Sequence, residues 1–62
     1  MEKPTCNLIG EDGNVFNIIG IVSKTLRKAG QNEKAKEFRE KAFKSESYNE
    51  VLSLCDEYVE IQ

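Results

Sequence analysis

Cys6 and Cys55 are the only thiols in this chain, and no histidine stands anywhere to activate them. Without imidazole the chain lacks its usual base near neutral pH, and the common structural and catalytic zinc sets cannot be assembled. Neither cysteine lies in a recognised nucleophile motif, and two are too few for a disulfide framework. A disulfide between them is open to the chain only if its first strand lies beside its last helix. In a reducing compartment the pair reads instead as two small buried hydrophobes. The carboxylate pairs Glu11/Asp12 and Asp56/Glu57 are adjacent in sequence and read as solvated charges.

The segment Gly10-Glu11-Asp12-Gly13-Asn14, placed ahead of a helix, invites comparison with an anion site, because helix N-termini attract negative charge. It lacks the lysine and Ser/Thr of a P-loop, and its acidic pair would repel phosphate. With only two carboxylates and the wrong spacing, it also fails as a calcium loop. It reads as a turn. A 62-residue chain is short for a substrate cleft of several hundred cubic ångströms. Catalysis is therefore not expected, and neither is a cofactor or a metal.

The bases are concentrated in the middle of the chain. Residues 1–23 carry a net charge of −2, residues 24–44 carry eight bases against three acids for +5, and residues 45–62 carry five acids for −5. The overall −2 and the pI of about 5.1 hide this segregation. One reading is that a basic helix pair and an acidic helix attract one another within the fold. The other is a surface for an acidic partner, formed by Lys24, Arg27, Lys28, Lys34, Lys36, Arg39, Lys41 and Lys44. Lys24, Arg27, Lys28 and Lys36 would be its nucleic-acid contacts, although no recognised binding motif is present and the acidic pI argues against a dedicated binder.

Three helices must position these groups. Asn14 is a good N-cap, and Val15, Ile18, Ile19, Val22, Leu26 and Ala29 share one face of a helix over about 15–29. Lys24, Arg27 and Lys28 suit its last turns, and Gly30 supplies a left-handed stop. Phe16 and Ile21 widen the apolar arc, so the helix is expected to be central and covered on several sides. Gly20 costs roughly 1 kcal/mol against alanine and would allow a close backbone approach. The alternative is a β-hairpin pairing Thr5–Gly10 with Val15–Ile19 around Asp12-Gly13; the cap and the long stripe favour the helix.

A second helix is predicted over about 33–44, capped by Asn32, with Ala35, Phe38 and Ala42 as a narrow stripe. Glu37/Lys41 and Glu40/Lys44 are i,i+4 pairs in the better orientation. A third follows over about 48–57, opened by a Ser47/Glu50 capping box and carrying Tyr48, Val51, Leu52, Cys55, Tyr58 and Val59. From about Glu57 the period changes to two, which predicts a strand that pairs with Cys6–Ile9. The fold class is thus α+β: a single domain over residues 1–62, a small three-helix unit with a minimal two-stranded sheet formed by the chain ends, in the order β-α-α-α-β. Its expected core is Leu8, Val15, Ile19, Val22, Leu26, Phe38, Ala42, Val51, Leu52, Cys55 and Val59. At this size only about 60% of the unfolded surface can be buried, so a partner would contribute to stability.

Leu8-Ile9-Gly10, Asp12-Gly13-Asn14, Phe16, Ile18, Gly20 and Val22 resemble a pattern in short uncharacterised proteins of bacteria and their phages. Leu26-Arg27, Ala29-Gly30, Tyr48, Leu52 and the closing Tyr58-Val59-Glu60 fit it too, with Tyr58 standing where tryptophan is commoner. The resemblance spans most of the chain and carries over no catalytic or binding residue. It implies a cytosolic accessory protein of phage or mobile-element origin.

The function expected is that of a small non-enzymatic protein-binding or regulatory module. Its partner would be an unidentified protein or a second copy, met through the off-stripe residues Ile21, Phe43 and Leu54. The alternative is a nucleic-acid-associated accessory protein using the basic 24–44 segment. No apolar run approaches the ~18 residues of a membrane span, and Met1-Glu2-Lys3-Pro4 lacks the apolar region of a secretion signal. A cytoplasmic location without membrane contact is expected.

Overall fold

A computed structural model describes residues 3–8 and 14–61. The chain runs β1 (Thr5–Cys6), α1 (Val15–Lys28), α2 (Asn32–Lys44), α3 (Tyr48–Tyr58) and β2 (Glu60–Ile61). The α+β class and the β-α-α-α-β order therefore stand. The two strands pair in parallel, Thr5 opposite Glu60 and Cys6 opposite Ile61, and the Glu60 amide donates to the Pro4 carbonyl at 2.9 Å. So short a ribbon is not stable alone; here the three helices form its crossover, with α1 packed against β1 and α3 against β2.

Local chemistry accounts for the helix ends. The Phe16 amide donates to the Asn14 side chain at 2.8 Å, which caps α1. At the other end Gly30 takes φ 79°. Its amide donates to the Arg27 carbonyl at 3.0 Å, while that of Gln31 reaches back to Leu26 at 2.9 Å. These two bonds make a Schellman stop, which needs the left-handed residue glycine provides. The helical first element replaces the hairpin alternative; the proposed turn at Asp12-Gly13 lies outside the described residues. Ser47 caps α3 by accepting from the Glu50 amide at 3.2 Å. The Glu50 carboxylate returns to the Glu46 amide at 2.6 Å, one residue earlier than a standard capping box.

Two boundaries differ from expectation. β1 is Thr5–Cys6 where Cys6–Ile9 was expected: Asn7 and Leu8 stand outside the strand, and Ile9 lies outside the described residues. Asn32 does not cap α2 but forms its first residue; Gln31 precedes the helix and makes no side-chain cap bond. The Schellman stop has already fixed the Gln31 backbone, so α2 starts directly behind it. At the far end α3 ends at Tyr58, in keeping with the change of period expected near Glu57. Tyr58 packs edge-on against Phe38 with ring centroids 5.5 Å apart, and its hydroxyl donates to Glu37 at 2.7 Å. Both contacts fall on the last helical residue, and the extended backbone begins at Val59.

The core lies where the α1 stripe meets α2 and α3. Val22, Leu26, Phe38, Cys55 and Val59 are completely buried, joined by Ile18, Ile19, Ala35, Ala42, Val51, Tyr58 and Cys6. Leu8, Val15 and Leu52, expected inside, are half-buried at its edge. Ala35 and Ala42 flank Phe38 on the inner face of α2, so one bulky ring fills the space that three large side chains would overfill. Among the described residues no helix is long and apolar enough to cross a membrane.

Candidate functional site

The connection between α1 and α2 is so short that α2 runs back along α1. Phe16 in the first turn of α1 therefore meets Phe43 in the last turn of α2, with ring centroids 6.0 Å apart. Both rings stay in contact with water, at 67% and 57% exposure, and Tyr48 at the start of α3 is 45% exposed. A groove of about 480 Å³ joins the three aromatics, and Val15, Val51 and Glu46 also line it. Single exposed hydrophobes are ordinary, but three aromatics around one groove form a patch.

On the other side of the Phe16–Phe43 pair, a second cleft of about 360 Å³ opens between α1 and α2. Gly20, Ser23 and Arg27 contribute to it from α1, and Arg39 from α2. The spacing 16, 20, 23, 27 places these α1 residues on one helical face. Gly20 is exposed, and a Cβ added there would meet none of the described atoms within 4 Å. The close backbone approach expected at Gly20 is therefore not found among the described residues; its missing side chain leaves the cleft open instead.

The predicted partner residues divide. Phe43 lies in the aromatic patch, while Ile21 and Leu54 are half-buried and pack against the core. Phe16 and Tyr48 complete the patch, and sequence reasoning missed both as contact residues. Phe16 was expected to lie under cover as part of the widened apolar arc of α1, yet it is the most exposed large hydrophobe among the described residues. The antiparallel pairing of two helices of similar length was the signal that places Phe16 opposite Phe43.

The basic residues divide as well. Lys24, Arg27, Lys28 and Lys36 are all exposed, but only Arg27 among them lines the aromatic-walled cleft, beside Arg39. Lys34 and Lys41 line a separate groove with Lys3, Glu37, Glu57 and Tyr58. There Lys41 pairs with Glu37 at 3.1 Å and sits 5.9 Å from the centre of the Tyr58 ring. The Glu40/Lys44 pair does not close. Among the described residues no ion pair joins the basic segment to the acidic 45–62 segment, so charge attraction within the fold is not made by direct contacts.

Titration behaviour follows these contacts. The Tyr58 hydroxyl, and then Lys41, hold the Glu37 carboxyl below its ordinary value. Burial, and then the Glu37 carboxylate, push the Tyr58 hydroxyl up. Cys6 and Cys55 are free and buried. Burial, with the Cys6 thiol nearby, raises Cys55 to about 11, which makes it a poor nucleophile at neutral pH. Among the described residues no three His, Cys, Asp or Glu side chains converge on a position for a metal ion.

Comparison with family models, with curated proteins and with solved structures gives no match to this chain.

Proposed function

We propose that this domain is a non-enzymatic protein-binding module whose contact surface is the Phe16–Phe43–Tyr48 patch. The supporting observation is the Phe16–Phe43 pair, two large rings held 6.0 Å apart on the surface of a 62-residue fold. Covering them would remove apolar area worth about 25 cal/mol per Å², and aromatic side chains are the usual anchors of interfaces. A partner would also stabilise so small a fold by mass action. A regulatory accessory role within the cytoplasm fits the resemblance to short bacterial and phage proteins.

The test compares the domain with Phe43→Ser as immobilised bait, alongside sedimentation of both at high concentration. The reading expects at least a tenfold loss of a specific captured protein, or of self-association, with helicity unchanged. A strictly monomeric domain that captures nothing would overturn it, as would a Phe43→Ser variant that unfolds.

A further inference from the structure

We infer that the partner segment is acidic next to its apolar anchor, with a carboxylate seated in the Arg27–Arg39 cleft beside the Phe16–Phe43 pair. The inference rests on the protein-binding reading above and adds the chemistry of the partner. Its first support is continuity. Phe16 and Phe43 belong both to the aromatic groove and to the cleft that holds the two arginines. A segment whose apolar side chain covers the rings therefore meets two guanidinium groups on the far side of them. Guanidinium forks match carboxylate geometry and hold it through paired N–H donors.

The second support is Ser23. It is 2% exposed, and its hydroxyl is the buried side-chain polar atom without a hydrogen-bond partner among the described residues. Hydroxyls within helices commonly bond back to the preceding turn, as Thr25 does to the Ile21 carbonyl at 2.9 Å. Ser23 does not. Ser23 lines the same cleft as Arg27 and Arg39, and because its hydroxyl is closed off from solvent it would have to turn toward the opening to donate to an oxyanion seated there. Gly20, with no side chain to block the entrance, stands one turn away on the same face.

The distribution of charge favours a peptide over a nucleic acid. The arginines line the cleft on one side of the ring pair, whereas Glu46 lines the groove on the other. A polyanion charged at every unit and lying across the ring pair would bring its charges against that carboxylate in the aromatic groove. A peptide with apolar residues over the rings and one or two acids at the arginine side matches the gradient.

Selection of random dodecapeptides displayed on phage against the immobilised domain tests this without a known partner. The expected pool is enriched in Asp or Glu within a few positions of an aromatic or aliphatic residue. Arg27→Gln/Arg39→Gln should lose at least tenfold affinity for these peptides while helicity is unchanged, and Ser23→Ala should weaken them with no loss of stability. Peptides that need Phe16 and Phe43 but show no acidic preference would overturn this inference and leave the binding-module reading intact. A pool indifferent to Phe43→Ser, or no enrichment at all, would count against both. Retention of fluorescein-labelled oligo(dT) at low salt, lost in the double arginine variant and without acidic peptides, would overturn it in favour of nucleic acid.

Discussion

Phe16 and Phe43 meet across the mouth of the α1–α2 hairpin with ring planes tilted by 36°, and both remain more than half exposed. Each ring restricts the other, so the patch is pre-organised and a partner loses less freedom on binding it. The same two residues separate an apolar groove from an arginine-lined cleft. Their position is a consequence of helix length and a tight glycine stop.

Leu26 and Phe43 should respond oppositely to truncation. Leu26 is fully buried, so Leu26→Ala should cost roughly 2–5 kcal/mol, a large part of the stability of a small domain. Phe43→Ser should cost less than about 1 kcal/mol, because most of its ring is already in water. Thermal unfolding followed by circular dichroism measures both, and the reverse order would place Phe43 in the core.

The two glycines of the α1–α2 hairpin should also diverge. Gly30 occupies the left-handed region, so Gly30→Ala should destabilise by about 1 kcal/mol. Gly20 lies inside α1, and among the described residues nothing stands within 4 Å of an added Cβ, so Gly20→Ala should stabilise by roughly 0.5–1 kcal/mol. The added methyl would narrow the cleft, so the stabilised variant should bind acidic peptides more weakly. Denaturant midpoints check the first pair of effects, and a rise in affinity for Gly20→Ala would contradict the last.

Tyr58 and Glu37 give a pH signature. Glu37 titrates below its ordinary 4.5 in the fold, chiefly because of the Tyr58 hydroxyl. The unfolded chain takes up that proton first, so the stabilisation is present above pH 4.5 and is lost as pH falls through the lower folded value. Tyr58 titrates above its ordinary 10, so its share is present below pH 10 and is lost as pH rises through the folded value. The stability difference between the domain and Tyr58→Phe should therefore be a plateau that shrinks at both ends. Denaturant titrations across pH would show it; a difference that persists undiminished at low pH would remove the Glu37 bond as its cause.

The helices and their order were legible because α1 and α3 carry their own punctuation, and α2 is what lies between: Asn14, Gly30 and Ser47 act where their chemistry says they should. The pairing of the chain ends followed from a change of period near Tyr58, although its parallel sense did not. What local pattern missed was relational. Asn32 is a good cap by type, but the Schellman stop had already set the backbone before it. Tyr58 was legible as an apolar helical position, but its partners Phe38 and Glu37 come from another element and were not. At the candidate site Phe43 stood out by lying off its stripe, whereas Phe16 looked like part of a covered helix. Only the antiparallel register brings the two together. Ile21 and Leu54 lay off-stripe by the same rule, and neighbouring elements half-cover both.

The most direct test of the binding surface places a photo-crosslinking p-benzoylphenylalanine at position 43 and, as a control, at the exposed position of Glu33. Irradiation of the folded domain in its own cells should give a discrete crosslinked polypeptide from position 43, another protein or a second copy, and none from position 33. The same pattern from both positions, or no product from position 43 in a folded domain, would contradict the assignment of this patch as the site where a partner binds.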